Sequence, residues 1–234
     1  MKRSEINTIM HECIDFLDQY KFKLPPFGFW SPEDWMQKGS ECAGIVEQQL
    51  GWDITDFGSG DFNKVGLFLF TIRNGVLTSK DPNEKVYAEK IMIVKDEQVT
   101  PIHFHYNKME DIINRGGGVL VIQLWNSDKD HQLADTDVVV YIDSVRTKVR
   151  AAGTIELQPG ESVCLPPFLY HKFWGKKGCG TILVGEVSKV NDDQIDNHFY
   201  EVIGRFPDIE EDEKPLYLLY NDFGTYYKHA FIPK

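Results

Sequence analysis

Apolar residues recur at helical spacing near the start of the chain. Ile6, Ile9, Met10, Cys13, Ile14, Leu17 and Tyr20 fall on one face of the segment from Ser4 to Tyr20, which predicts an amphipathic helix lying on a larger apolar surface. Ser4 stands where a hydroxyl can cap the free amides of the first turn. Beyond Pro25-Pro26, the run Ser31-Pro32-Glu33-Asp34-Trp35 combines a cap, a proline at the first helical position and two acids in the first turn, predicting a second helix start. A third short helix is expected over Glu41 to Leu50, stopped by Gly51.

From Val65 onward the texture changes. Short β-branched and aromatic runs cover Val65 to Ile72, Val86 to Val94, Val99 to His105, Val119 to Trp125, Val138 to Ile142, Thr154 to Leu157, Ser162 to Leu165 and Thr181 to Val187, punctuated by Gly, Pro and Asn. Such runs predict antiparallel strands, about eight to ten of them, a number that suits a double-sheet jelly roll or a barrel. The fold class expected is therefore all-β, a jelly-roll β-barrel with N-terminal α-helices packed outside. No internal repeat or compositional break divides the chain. A single domain is expected over 1–234, with 1–60 as a helical extension, 61–200 as the barrel and 201–234 as a C-terminal extension.

A chain of 234 residues with 42% hydrophobic content can bury a core without disulfide staples. Cys13, Cys42, Cys164 and Cys179 are scattered without a paired spacing, so a reduced, cytoplasmic protein with bystander thiols is expected. The longest apolar runs fall far short of the roughly 20 residues that span a bilayer, and no membrane segment is expected. The formal charge is −11 and 36 acidic residues outnumber 25 basic ones, a field that repels phosphate backbones and argues against nucleic acid as a partner. The acidic stretch from Asp208 to Glu213 reads as a solvated loop.

The chemistry concentrates in two places. In Thr100-Pro101-Ile102-His103-Phe104-His105 the histidines are two residues apart, so on a strand both imidazoles point to one face and Phe104 to the other. Glu110 follows as the next strand begins, close enough to bring a carboxylate to the same point, and glycines at 116 to 118 end the unit. Far downstream, Gly160-Glu161-Ser162-Val163-Cys164-Leu165-Pro166-Pro167-Phe168-Leu169-Tyr170-His171 runs from a glycine turn through a strand and a proline bend to a histidine.

Together these segments resemble the two motifs of the cupin superfamily at His103, His105, Glu110, Gly117, Gly160, Pro166 and His171. Glu97, Phe168 and Gly175 depart from the usual pattern without removing a ligand. His103, His105, Glu110 and His171 are thus expected to hold one divalent metal. Three imidazoles and one carboxylate suit Mn²⁺, Fe²⁺, Co²⁺, Ni²⁺ or Zn²⁺. A tetrahedral ion would be closed by these ligands, as in structural zinc. An octahedral ion keeps two adjacent positions for neighbouring substrate oxygens, which favours Mn²⁺ in a catalytic role.

Further stretches are similar to the D-lyxose isomerase family of cupin-type sugar isomerases: Phe70-Thr71-Ile72-Arg73-Asn74-Gly75, Tyr87-Ala88-Glu89-Lys90-Ile91-Met92, Glu110-Asp111-Ile112-Ile113-Asn114-Arg115-Gly116-Gly117-Gly118 and Gly185-Glu186-Val187-Ser188-Lys189-Val190-Asn191-Asp192-Asp193. The likeness runs over nearly the whole chain, including Leu24-Pro25-Pro26-Phe27 and Leu50-Gly51-Trp52-Asp53. It implies reversible interconversion of D-lyxose and D-xylulose, with D-mannose and D-fructose as secondary substrates, supported by manganese and usually by a homodimer.

Aldose-ketose isomerisation moves a hydrogen between C1 and C2 while charge develops on oxygen, so a metal on both oxygens stabilises an enediolate by several kcal/mol. A general base or acid must also reach the two carbons. Glu186 ends the apolar strand Ile182-Leu183-Val184 and is the candidate base, with a core carboxylate paired to Lys or Arg as the alternative. Lys90 shares a strand face with Ala88 and Met92, where a cation needs a charge or an oxyanion. It is expected as an oxygen partner and substrate contact, or else as an exposed lysine. Asp193, beside Asp192, is expected in a loop closing over sugar hydroxyls, or as a solvated turn acid. Trp30, with Phe29, is expected either to stack on the sugar or to pack in the core. His11, His131, His198 and His229 lack motif context and read as ordinary histidines. Proton transfer and a hydride shift both remain open. Two rival readings keep the same ligands: an iron-dependent dioxygenase, and a non-catalytic sugar-binding cupin.

Overall fold

The computed structural model describes residues 1–206 and 208–229. The first helix, α1 (Arg3–Gln19), buries Ile6, Ile9, Met10, Cys13 and Leu17 against Trp52, Ile54, Phe68, Phe70, Ile91 and Ile93 of a large sheet. Its amphipathic stripe thus covers the outer face of the barrel wall. Ser4 is not its cap, because Lys2 takes that position without a side-chain bond. The amide and hydroxyl of Ser4 instead donate to Asp212 at 2.9 and 2.7 Å, so a carboxylate from the far end of the chain complements the positive helix terminus. The acidic stretch expected to be solvated is therefore partly a clasp: the buried Arg3 guanidinium pairs with Glu211 at 2.7 Å and with Asp222 at 2.9 Å.

The second helix, α2 (Pro32–Gln37), carries the predicted cap as a reciprocal box, with the Asp34 amide donating to Ser31 Oγ and the Ser31 amide to the Asp34 carboxylate. The third is shorter than expected: a tight turn over Ser40–Cys42 leads into α3 (Ala43–Glu47). Gln49, with φ at +54°, then breaks the helical path. Gly51 begins β1 (Gly51–Thr55), a strand not foreseen inside the 1–60 segment, buried along its whole length. A fourth helix, α4 (Phe223–Tyr226), packs its Phe223 against Trp35 near the other end of the chain.

The remaining strands are β2 (Leu67–Arg73), β3 (Tyr87–Val94), β4 (Val99–His105), β5 (Glu110–Gly117), β6 (Leu120–Ser127), β7 (Leu133–Ala134), β8 (Val138–Ile142), β9 (Val145–Val149), β10 (Thr154–Leu157), β11 (Ser162–Leu165), β12 (Leu169–Gly175), β13 (Ile182–Lys189) and β14 (Asn197–Phe199). They form two antiparallel sheets. One runs β1-β2-β3-β13-β5-β11-β8-β9 and the other β10-β6-β12-β4-β14, with β7 on β6. This is the all-β double-sheet jelly roll expected of a cupin, with helices outside. Leu69, Met92, Ile112, Leu124, Val163, Phe173 and Val184 meet between the sheets. Among the described residues, no helix is long and apolar enough to cross a membrane.

Two features of this topology place the site. Strands β4 and β5 follow one another in the chain yet belong to different sheets, so the turn between them carries the backbone from one wall to the other. Strand β13 lies between β3 and β5, with Glu186 directly opposite Lys90.

Candidate metal centre and adjoining cavity

Strand alternation turns His103 and His105 inward from β4, and β12 brings His171 opposite His103 in register. The imidazole centroids of His103 and His171 are 4.1 Å apart, and those of His103 and His105 5.1 Å apart. One ring nitrogen from each histidine lies within 4.8 Å of the others. Glu110 arrives from the facing sheet, with Oε1 at 3.3 Å from both His105 Nε2 and His171 Nε2. All four side chains are at most 7% exposed, so the cluster is closed to bulk water.

The free atoms of this cluster fit a divalent cation. His103 Nδ1 bonds the carbonyl of Pro101 at 2.8 Å and His171 Nδ1 that of Leu169 at 3.0 Å. A carbonyl only accepts, so Nδ1 carries the proton in both rings and Nε2 presents a lone pair. His171 Nε2, His105 Nε2 and Glu110 Oε1 are buried without a hydrogen-bond partner, which is costly unless something electron-poor stands between them. Burial pushes His103 well below the ordinary imidazole range, helped by His171 and His105, and pushes His171 down to about 4. Burial alone would raise Glu110, but Lys108 and then His105 outweigh it and hold the carboxyl well below the usual range. His103 and His171 thus offer neutral imidazoles and Glu110 a charged carboxylate.

The same cavity collects the second group of residues. Glu186 Oε1 accepts from Lys108 Nζ at 2.9 Å and lies 3.6 Å from Lys90 Nζ. Lys108 Nζ also reaches Glu110 Oε2 at 2.7 Å, so one ammonium bridges Glu110 and Glu186. Burial disfavours that charge, but Glu110 and Glu186 more than compensate and raise Lys108 above the ordinary lysine range. Lys90 donates to both oxygens of Asp193, at 3.0 and 2.8 Å. Burial would raise Asp193, yet Lys90, Lys108 and Arg205 pull it far below the usual carboxylate range. Phe57, Met92, Phe173 and Phe199 close the apolar side of the cavity.

Glu186, Lys90 and Asp193 therefore come together beside the four expected ligands, and Lys90, at 2% exposure, is no surface lysine. Trp30 does not join them. Its ring packs edge-on to Trp35 at 5.1 Å under the Lys38 ammonium, in the helical cluster outside the barrel, because α2 rather than the barrel mouth takes up its surface. Asp192 stays in its own turn, accepting from the Gln194 amide. His198 stacks on Phe104 on the outer side of β4, 4.7 Å between centroids, and its Nδ1 meets Tyr106 Oη.

Sequence reasoning missed Lys108, Arg205 and Phe199. Lys108 had a usable signal, since it stands two residues before Glu110, in the turn that leads into β5. Arg205 had none, because its partner Asp53, 2.6 Å away, lies in another part of the chain. Phe199 stacks on His103 at 5.3 Å from a strand, β14, too short to read from its pattern.

A sequence model of the D-lyxose isomerase family matches residues 1–223. The chain is 50% identical over 227 residues to the D-lyxose/D-mannose isomerase of Escherichia coli O157:H7, covering 97% of this chain and 100% of that protein. It is 47% identical over 224 residues to the D-lyxose/D-mannose isomerase of Serratia proteamaculans, covering 95% and 98%. Among solved structures, the fold resembles L-ribose isomerase of Cellulomonas parahominis with L-ribose, at TM-score 0.59 and 13% identity over 90% of this chain and 97% of that one. It also resembles a mutant L-ribose isomerase of Acinetobacter sp. DL28 in complex with L-ribose, at TM-score 0.60 and 14% identity over 90% and 98%.

Proposed function

Because the chain belongs to the D-lyxose isomerase family, we propose that it is a metal-dependent aldose-ketose isomerase interconverting D-lyxose with D-xylulose and D-mannose with D-fructose. The observation that carries this reading is one buried cavity holding unpartnered imidazole nitrogens on one wall, with the Glu110 carboxylate and the Lys90–Glu186 pair on the facing wall.

His103, His105, Glu110 and His171 would hold the ion, and Mn²⁺ suits this set of borderline and hard donors. A bound divalent ion supplies Lewis acidity toward adjacent sugar oxygens. The remaining chemistry belongs to the chain. Glu186 takes the C2 proton of the aldose; the electron pair left behind forms the C1–C2 double bond as the carbonyl oxygen gains charge. A proton passes from O2 to O1, and Glu186 returns its proton to C1 to give the ketose. Lys108 and Lys90 set ammonium groups beside this carboxylate, where charge moves on and off oxygen. Asp193 keeps Lys90 in place, and the apolar wall excludes water from the exposed carbanion carbon. The family resemblance supports a homodimer as the assembled form, and four free thiols suit a reducing, cytoplasmic compartment.

The test is anaerobic turnover. Protein stripped of metal and reloaded with Mn²⁺ forms D-xylulose from D-lyxose without oxygen, whereas stripped protein does not. A requirement for oxygen, or binding of sugar with no ketose formed from any pentose or hexose, defeats the reading. Deuterium entering C2 of the aldose during equilibration in D₂O supports the proton-transfer route, and complete absence of exchange counts against it.

A further inference from the structure

We propose that Asp196 is a positioning residue for the metal centre, fixing the turn that carries Lys108 and delivers Glu110 to the imidazoles. The inference rests on the metal-centre reading above. His105 ends β4 in one sheet and Glu110 begins β5 in the other. No hydrogen-bonded ladder joins those strands; Glu110 is registered within its own sheet against Ser188 and Leu165, and the turn from Tyr106 to Met109 is the direct link that carries Lys108 and aligns this end of β5 with the imidazoles.

Apart from the Met109 carbonyl, which accepts from the Lys189 amide at 3.0 Å, the backbone of that turn is held from one residue. The Asn107 amide donates to Asp196 Oδ1 at 2.8 Å, the Asn107 side-chain Nδ2 to the same oxygen at 3.0 Å, and the Lys108 amide to Oδ2 at 3.1 Å. The Tyr106 amide donates to the Asp196 carbonyl oxygen at 3.0 Å. Three consecutive backbone N–H groups thus end on one residue.

Asp196 is 2% exposed, and among the described residues no Lys or Arg nitrogen lies within 4.0 Å of its carboxylate in any ion pair. A buried carboxylate without a counter-cation is a costly way to close an ordinary loop. It becomes intelligible where several N–H groups turn inward and must be held in one geometry. The surrounding segment serves the same wall. Asn197 pairs with His105 and Phe199 with His103 in the β14 to β4 register, and Asn197 Nδ2 donates to the Asp193 carbonyl at 3.1 Å. Loosening Asp196 therefore frees Lys108 first and, through its bond to Glu110, the orientation of that carboxylate, and leaves the Lys90–Glu186 pairing of β3 and β13 in place.

The experiment compares metal-stripped wild type with Asp196→Ala, Asp196→Asn and Asn107→Ala, reading Mn²⁺ affinity by titration, the visible absorption of the Co²⁺ form, and the Tm of the stripped protein. Asp196→Ala is expected to weaken Mn²⁺ binding about 10- to 100-fold and to alter the Co²⁺ spectrum, as loss of an outer-shell partner does elsewhere. Asp196→Asn keeps the volume but turns an NH₂ toward the backbone donors, and Asn107→Ala drops only the side-chain bond. Both are expected to give smaller losses in the same direction. Should Asp196→Ala fail to fold, these two variants decide. Folded variants that bind Mn²⁺ within about twofold of wild type, with an unchanged Co²⁺ spectrum, overturn the proposal. Failure of the wild type itself to bind a divalent ion is a distinct result and overturns the metal-centre reading beneath it.

Discussion

Replacing Lys108 by methionine keeps an apolar stem of similar length and removes the ammonium that joins Glu110 to Glu186. Both bonds are short, 2.7 and 2.9 Å, and all three side chains are at most 4% exposed. In the metal-free protein the substitution leaves Glu110 without its cation and Glu186 with only Lys90 at 3.6 Å. Removing one partner of a buried ion pair costs about 3–5 kcal/mol. A domain of this size shifts by about 2–4 °C per kcal/mol, so a fall in Tm of roughly 6–20 °C is expected.

The pH dependence has a definite sign. In the wild type, burial pushes Glu110 up, but Lys108 and His105 outweigh it and the carboxyl stays charged. That depressed group stabilises the fold above the unfolded carboxylate range and loses its contribution as pH falls. In Lys108→Met, burial is less opposed and the folded-state pKa rises above the unfolded one. The folded chain then keeps a proton that the unfolded chain releases, so the variant loses stability as pH rises. Calorimetry of the stripped proteins at pH 5, 6.5 and 8 should show the gap between wild type and variant widening toward pH 8. Mn²⁺ should raise the Tm of the variant more than that of the wild type, because it restores positive charge beside Glu110. A Tm at pH 8 within about 2 °C of wild type, or a gap that widens toward acid, refutes the reasoning.

Glu186→Gln should retain bound Mn²⁺ while kcat falls by about 10²–10⁴-fold, since the amide cannot carry the proton; metal content and turnover on one preparation check this, and near-wild-type turnover counts against the assigned role. Burial lowers His171 to about 4, so between there and the ordinary imidazole value near 6.5 the unfolded chain binds a proton that the folded chain refuses. Stripped protein should therefore lose Tm on acidification through that window, and a flat Tm from pH 7 to 4 opposes the argument. Burial together with a hydrogen bond to Asp111 pushes the Cys164 thiol up to about 11. Its alkylation by iodoacetamide should be slow at pH 8 and accelerate about tenfold per pH unit toward 10, followed by peptide mass spectrometry; fast labelling at pH 8 contradicts the assignment. Cys179, exposed at the surface, serves as the internal reference.

What could be read from the sequence was whatever depends on short-range periodicity. Alternation put His103 and His105 on one face, and put Lys90 on a face with Ala88 and Met92, which the structure buries. The Ser31 box was legible because both partners lie within one helical turn. The failures share the opposite property. The true complement of the α1 terminus is Asp212, more than two hundred residues away. Strand β1 is buried on both sides and so lacks alternation, and β14 is shorter than any usable pattern. Trp30 was ambiguous because an aromatic ring that stacks on a sugar and one that packs on Trp35 have the same local sequence. The four expected ligands could be picked out by their spacing, and the structure brings them together; the cation joining Glu110 to Glu186 was legible only in part, through the nearness of Lys108 to Glu110 in the chain.

Lys90, Lys108 and Arg205 face Glu110, Glu186, Asp193 and Asp53, one more negative than positive charge among these seven side chains. A divalent ion reverses that balance to one positive charge, which matches the single negative charge developing on a sugar oxygen as the C2 proton leaves. The same pairing restricts what can enter. Lys90 is held by Asp193, Lys108 by both glutamates, and Arg205 by Asp53 through two nitrogens. Each cation is already matched by a carboxylate, so none of these three is free to receive a phosphate group without abandoning a buried partner, a loss of several kcal/mol. A neutral, unphosphorylated sugar is the substrate class that this arrangement admits.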